Sequence, residues 1–143
     1  TRRDPIPSAD SLTSLMGTIF WLRTDQPYGN DAGDDFSAAD HRALLWDNVI
    51  DWIESGLIAK GSAAHIQYRD FMRDPMAAIE RAYGEIGLAF TAEAKSAMSA
   101  HLASRPQGGH GKHDYPRADA ATIAEERAKY RRYQEYFEVP NEV

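Results

Sequence analysis

The sequence predicts a helix-rich part of an α/β fold, with about five helices and one or two short strands, so that the chain itself looks helical even if its parent sheet is parallel. Three observations lead to this prediction. Apolar residues recur at helical spacing in Ser11–Thr24 and again in Ser37–Gly56. A third stretch, Ala64–Tyr68, has the length and apolar content of a short buried strand, and a capped helix follows it. Because the length suits a single domain and no internal repeat is evident, residues 1–143 are predicted to belong to one domain.

Composition excludes several classes of protein. The chain has 143 residues, and 43% of them are hydrophobic, which is enough for a buried core. Acidic residues outnumber basic ones by 22 to 16, and the net charge of −6 argues against general nucleic-acid binding. Cysteine is absent, so a disulfide framework, a thiolate metal site and a cysteine nucleophile are excluded. No apolar run approaches the roughly eighteen residues that a membrane span requires.

The first residues have the pattern of a strand end that enters a turn. Thr1–Pro5 contains neither an initiating Met nor a charged and apolar leader, as though the chain began inside a domain. We expect a cytoplasmic protein.

The first helix is predicted over Ser11–Thr24, where apolar residues follow the i, i+3, i+4, i+7 spacing of an amphipathic helix. Pro5 and Pro7 restrict the backbone that enters this helix. The prediction therefore places Ser8 or Ser11 in the first turn, where backbone N–H groups lack partners.

A loop is predicted over Asp25–Asp35, because this segment is rich in Asp, Gly and Asn. Three interpretations of the loop stay open. It is a solvated connection, a flexible lid over a substrate, or a metal site, although the spacing of an EF-hand is missing.

Three more helices are predicted outside the central strand. One spans Ser37–Gly56, and its Trp46 and Trp52 are expected in the core. Thr91 caps another helix, and the capping box Thr122–Glu125 opens the last one. Aromatic side chains share a face of that last helix: Tyr130, Tyr133 and Phe137.

The central segment combines the strand with a polar turn and a helix. Asp74 is predicted to cap the helix, and Pro75 occupies its first position, where a missing N–H costs nothing. Gly87 is expected to stop it. The apolar face of the helix consists of Ile79, Ala82, Tyr83 and Ile86.

Arg3 and Ser11 form a candidate anion site across a strand-to-helix turn. Arginine offers a fork of donors to a phosphate, and a serine at a helix N-terminus adds a hydroxyl beside free N–H groups. Ser8 and Ser14 are alternative hydroxyls. In a competing interpretation, Arg3 only pairs with a nearby aspartate on the surface.

A second candidate anion site is the glycine-rich loop that contains His110, Gly111 and Lys112. Its backbone N–H groups can form a nest for an anion, which Lys112 and a protonated histidine would reinforce. Two alternatives stay open. The loop is a plain connector, or His110 and His113, with His101, bind a metal, although no second-shell carboxylate is evident. His65, in the predicted strand, is interpreted as a satisfied core histidine.

The central segment resembles the strand–turn–helix near the end of the sulfotransferase fold. The matching residues are Tyr68-Arg69-Asp70-Phe71, then Asp74-Pro75, then Ile86-Gly87-Leu88. Arg69 stands where the family usually has an acid. The resemblance implies the P-loop NTPase-like α/β fold of that family. It also implies that residues 1–143 are the C-terminal portion of one such domain, without the N-terminal half that carries the 5′-phosphosulfate loop.

The same resemblance implies the reaction and the ligand. A sulfotransferase transfers a sulfuryl group from 3′-phosphoadenosine 5′-phosphosulfate (PAPS) to a hydroxyl or amine acceptor, without a metal. The family match assigns Arg3, Ser11 and His110–Lys112 to the 3′-phosphate and Tyr68 to the adenine. The expected acceptor is a small molecule, carbohydrate or lipid. No residue of this sequence matches the family's general base, so the catalytic residues are left unassigned.

Two other classes of function compete with this interpretation. One is a non-catalytic helical binding module derived from the same fold. The other is a P-loop-type phosphotransferase, although the sequence contains no GxxxxGK[ST] motif.

Overall fold

The computed structural model describes residues 1–24, 39–105 and 118–143 of the chain. Every regular element in these ranges is a helix. In chain order the helices are α1 (Pro5–Thr24), α2 (Ala39–Glu54), α3 (Tyr68–Arg73), α4 (Pro75–Glu85), α5 (Ala92–Ser104), α6 (Ala120–Lys129) and α7 (Arg131–Tyr136).

The predicted α/β fold is wrong for the described residues, and the P-loop NTPase-like sulfotransferase fold implied by the resemblance falls with it. The predicted strand Ala64–Tyr68 contributes one isolated parallel bridge, between Gln67 and Arg2, and no strand is present in the described ranges. The physical reason is the lack of a partner, since a strand is stable only when a neighbour satisfies its backbone along its length. Tyr68 already belongs to α3.

The chain divides into two compact units. The first consists of Thr1–Arg3 and Ser55–Asp114, and its described helices are α3, α4 and α5. The second consists of Asp4–Glu54 and Tyr115–Val143, and it holds α1, α2, α6 and α7.

In the first unit the predicted ends of α4 are confirmed. The Asp74 carboxylate accepts a hydrogen bond from the Ala77 N–H at 3.0 Å, and Pro75 opens the helix. Gly87 lies at φ 70°, in the left-handed region that glycine adopts without strain. The Gly87 and Leu88 N–H groups donate to the Gly84 and Tyr83 carbonyls, a Schellman ending. Thr91 caps α5, as predicted, by accepting from the Ala94 N–H.

In the second unit α1 begins at Pro5, six residues before the predicted start. The reason is Asp4, whose carboxylate accepts a hydrogen bond from the Ile6 N–H at 3.2 Å and so caps the helix. Pro5 then stands at a position that requires no N–H donor.

The predicted last helix is two helices, α6 and α7, which meet at Tyr130. Asp119, not the predicted Thr122, caps α6, because the Asp119 carboxylate accepts from both the Ala121 and Thr122 N–H groups. These bonds, led by the one from the Thr122 N–H, hold the pKa of Asp119 below its usual value.

The core of the second unit is aromatic. The rings predicted to share a face are all buried: Tyr130, Tyr133 and Phe137. Tyr133 and Phe137 pack with Ile50 of α2, whereas Tyr130 packs with Ile6 and Ala43. The Trp46 ring touches both groups and lies 5.1 Å from the Tyr130 ring, centroid to centroid. Trp46 therefore belongs to the core, as predicted. The same prediction is wrong for Trp52, which is 47% exposed.

Candidate functional site

The candidate site lies in the first unit, where residues from the start of the chain meet the beginning of α3. The Arg2 N–H donates to the Ile66 carbonyl at 2.6 Å, and the Tyr68 N–H donates to the Arg2 carbonyl at 2.7 Å. This pair of backbone bonds forms the bridge at Gln67 and aligns the two segments in parallel. Arg3 is consequently placed beside Tyr68.

Arg3 and Tyr68, which the family resemblance assigns to one nucleotide as an expectation, are in contact. The guanidinium carbon of Arg3 lies over the Tyr68 ring, 4.3 Å from its centroid, and both residues are half-buried. A guanidinium is attracted to the negative face of an aromatic ring. The pair thus combines a planar cation with an aromatic hydroxyl, a suitable combination for a nucleotide phosphate and its base.

Tyr68 is held rigidly because it begins α3. Gln67 precedes it as the N-cap residue in extended conformation, and the Gln67 carbonyl accepts from the Asp70 and Phe71 N–H groups. The Tyr68 N–H is used by the Arg2 carbonyl. The Gln67 carbonyl and the Tyr68 N–H are therefore both hydrogen-bonded, and these bonds fix the backbone position from which the Tyr68 side chain extends.

Arg2 contacts a different side chain, His65. The Arg2 Nη2 and Nε atoms lie 3.0 Å and 3.3 Å from the His65 Nδ1. Because a guanidinium only donates, the His65 Nδ1 must accept, so the imidazole is neutral with its proton on Nε2. Partial burial, then the nearby Arg2 charge, lowers the pKa of His65, and the Glu85 carboxylate opposes this shift.

His65 is exposed, so its interpretation as a core histidine is wrong. Its backbone N–H donates to the Glu85 carboxylate at 3.3 Å. Alternation of side chains along an extended segment sends those of Arg2 and Arg3 to opposite faces of the bridge. The Arg2–His65 contact therefore supports the bridge from the face opposite to Tyr68. The sequence carried no signal for this contact.

Ser11 belongs to the second unit and Arg3 to the first, so their predicted joint site stays a prediction. The prediction that Ser8 or Ser11 lies in the first helical turn holds for Ser8 and not for Ser11, because α1 begins at Pro5 and Ser11 falls in its second turn. Ser8 does lie in the first turn, and its hydroxyl donates to the Asp4 carbonyl at 2.9 Å.

The remaining predicted site residues lie outside the described residues. They are His110, Gly111 and Lys112. His113, which belongs to the alternative metal site, and the predicted loop Asp25–Asp35 also lie outside the described residues. Their assignment to the phosphate stays a prediction.

The second unit contains a buried ion pair that sequence reasoning missed. The Asp4 side chain is fully buried, and the Arg127 guanidinium donates to its two oxygens at 3.3 Å and 3.2 Å. The Glu142 N–H adds a third donor at 2.6 Å. Asp4 was considered only as a surface partner of Arg3, whereas Asp-Pro before a helix is itself a recognisable capping signal.

A cavity of about 520 Å³ lies beside this ion pair, between α6, α7 and the last residues of the chain. Its polar lining includes Arg127, Arg131 and Glu135, and its apolar lining includes Val139 and Pro140. Arg127 is engaged by Asp4 and by the Asn141 side chain. Arg127 therefore lines the cavity while its guanidinium is hydrogen-bonded within the protein.

Two features are absent from the described residues: a cluster of metal-binding side chains and a membrane-spanning helix. Within residues 1–24, 39–105 and 118–143, no three His, Cys, Asp or Glu side chains are grouped so as to hold a metal ion. In the same ranges, none of the helices has the combined length and apolar character needed to cross a membrane.

Comparison with known proteins found no match to this chain among protein-family models, curated proteins or solved structures.

Proposed function

We propose that this chain carries the donor-binding part of a sulfotransferase that uses PAPS to sulfate a hydroxyl or amine. The observation that carries the proposal is the contact between Arg3 and Tyr68. The family match had assigned these residues independently to the 3′-phosphate and to the adenine of one nucleotide. Their proximity is what a shared ligand requires.

The chemistry of the pair suits these roles. The edge of the Arg3 guanidinium can donate two parallel hydrogen bonds to a phosphate, and the Tyr68 ring offers an apolar face and a hydroxyl to a purine. In the proposed reaction the bond between the sulfur and the bridging oxygen of the 5′-phosphate breaks, while a bond forms between sulfur and the acceptor. 3′-Phosphoadenosine 5′-phosphate (PAP) leaves, and the acceptor's proton goes to a base that the sequence does not identify.

Calorimetric titration with PAP tests the proposal. We expect Arg3→Ala to weaken binding by roughly tenfold or more, since a charge-assisted bidentate contact is lost. Arg3→Lys should restore only part of the affinity, because lysine keeps the charge but not the fork. Tyr68→Ala should also weaken binding.

Arg73→Ala is the matched control. Arg73 belongs to the same helix as Tyr68, but it is exposed and pairs with Asp70 at 3.1 Å. Its replacement should leave PAP binding unchanged. If both variants lost the same amount of PAP affinity, the loss would reflect only the removal of a positive charge, and the assignment of Arg3 to the phosphate would be wrong.

A second candidate, a non-catalytic helical binding module, is favoured by one observation, the absence of strands from the described ranges. For such a module we expect no heat of binding on titration with PAP, or a heat of binding that Arg3→Ala does not change. A phosphotransferase would instead bind nucleotide in a magnesium-dependent way, so titrations with and without Mg²⁺ separate the third alternative.

A further inference from the structure

The outer half of α1 is an uncharged helix with large apolar side chains in solvent. From Ser11 to Leu22 the sequence contains no Asp, Glu, Lys or Arg. The residues that α1 buries, Pro5, Ile6 and Ala9, all lie in its first two turns. A helix that is apolar without a charged face is normally covered, so this half of α1 has the character of an interface.

Four of the exposed side chains form a line, here named the α1 seam: Leu12, Leu15, Ile19 and Leu22. Their exposures are 38%, 56%, 39% and 71%. Their spacing of three, four and three residues is the a/d repeat by which two helices interlock. The residues that flank the seam, Ser11, Met16 and Thr18, are uncharged, so no repulsion opposes a neighbouring helix.

The α1 seam is symmetrical about its midpoint, at the level of Gly17. Leu12 and Leu22 lie equally far from that level, and so do Leu15 and Ile19. When two copies of α1 run antiparallel about a two-fold axis there, Leu12 faces the other copy's Leu22 and Leu15 faces its Ile19. Every a side chain then meets a d side chain, as a self-complementary interface requires.

We propose that a second copy of this chain covers the α1 seam in an antiparallel, two-fold symmetric pair of α1 helices. The absence of charge argues against a nucleic acid or a charged peptide as the occupant. A helix that lies on a membrane surface carries a charged polar face, which the stretch from Ser11 to Leu22 lacks.

The exposed area sets the strength of the pair. The four exposed fractions of the seam together equal about two fully exposed residues per copy, which is well below the area of a standard interface. A standard interface buries about 800 Å² per partner, so the seam alone gives a reversible dimer that forms at high concentration.

Sedimentation equilibrium over a wide concentration range tests the proposal. We expect monomer–dimer exchange, and Leu15→Lys should raise the dissociation constant by about tenfold or more, because it places like charges in the seam. Leu57→Lys is the control, because Leu57 is also exposed, at 73%, but belongs to the first unit. It should leave the exchange unchanged.

Disulfide trapping tests the antiparallel arrangement, since the chain itself lacks cysteine. A mixture of Leu12→Cys and Leu22→Cys chains should form a mixed disulfide dimer on oxidation. Neither variant alone should do so, because like positions lie roughly 15 Å apart along the pair, beyond the reach of a disulfide.

Three results would overturn the proposal: a monomer throughout the range, a dimer that is indifferent to Leu15→Lys, or disulfides within each single variant but not in the mixture. Binding of phosphatidylcholine vesicles by a chain that stays monomeric would assign the seam to a lipid surface instead.

Discussion

Asp4 is the residue on which the polar structure of the second unit converges. Its carboxylate caps α1 through the Ile6 N–H, accepts both arms of Arg127 and accepts the Glu142 N–H. All of these donors meet a side chain with no exposed surface. A buried carboxylate with this many donors is stabilising only while each of them is present.

We expect Asp4→Ala to destabilise the protein by about 3 kcal/mol or more, because Arg127 then loses its buried partner. Urea unfolding followed by circular dichroism measures the change. Asp51→Ala is the control, since Asp51 also pairs with an arginine, Arg132, but in an exposed position. That variant should lose less than about 1 kcal/mol. If both variants lost a similar free energy of unfolding, the buried ion pair would stabilise the protein no more than an exposed one does.

If Asp4→Ala does not fold, Asp4→Asn provides the second variant. It keeps an oxygen for the Ile6 N–H but removes the charge that faces Arg127. We expect Asp4→Asn to fall between the wild-type chain and Asp4→Ala in unfolding free energy.

His65 supplies a pH dependence. Burial, followed by the Arg2 charge, lowers its pKa in the folded chain from the ordinary value of about 6.5, so folding favours the neutral imidazole. The stabilisation is therefore present above that pH and is lost as pH falls through the lowered folded pKa. Glu85, on α4, opposes the shift, so removing its charge should lower the pKa further.

An NMR titration of the histidine rings checks this prediction, with His65→Gln to assign the signal. We expect a midpoint below 6.5 for His65 and a still lower midpoint in Glu85→Gln. A midpoint above the ordinary value would mean that the imidazolium is favoured and that the Arg2 contact is absent in solution.

Replacing either of two glycines near the end of α4 by alanine is expected to change the stability of the protein, but in opposite directions. Gly87 lies at φ 70°, whereas Gly84 is helical, and an added Cβ meets no atom within 4 Å at either position. Gly87→Ala should therefore lose about 1 kcal/mol from backbone strain alone. Gly84→Ala should gain about 0.5–1 kcal/mol, because alanine has the higher helix propensity.

Thermal unfolding of the two variants, measured together, checks the pair. The two changes add the same methyl group three residues apart, so solvent and volume effects are matched. Shifts of melting temperature in the same direction would contradict the assigned ending of α4.

Local signals in the sequence predicted single elements well. Asp74, Pro75 and Gly87 bound α4 as expected, since caps and glycine act through contacts within a few residues. The same kind of signal misled at Thr122, because Asp119 competes for the same N–H groups. Trp52 was misassigned because helical spacing alone does not tell which face a neighbour covers.

At the scale of the whole molecule, the predicted sheet failed for a physical reason that the sequence could not reveal. Ala64–Tyr68 has a strand's composition, but a strand also needs a neighbour, and Arg2 offers one bridge. The pairing partner of a short apolar segment is a non-local property. It follows from topology rather than from the segment itself.

The candidate site was only partly predictable for a similar reason. Arg3 and Tyr68 were identified by residue type and motif, and the structure brings them together in the first unit. Their proximity depends on the backbone bond between Tyr68 and Arg2, for which the sequence carries no local signal. The sequence left Ser8 and Ser11 as alternatives for the first helical turn, and it could not choose Ser8 because the cap at Asp4 was overlooked.

An NMR titration of the labelled chain with PAP tests the proposal that Arg3 and Tyr68 together bind this nucleotide. We expect saturable shifts of the Arg3 Nε–H and of the Tyr68 ring signals, with the same dissociation constant. A lack of shifts at both residues, or saturable shifts confined to the cavity at Arg131, would contradict it.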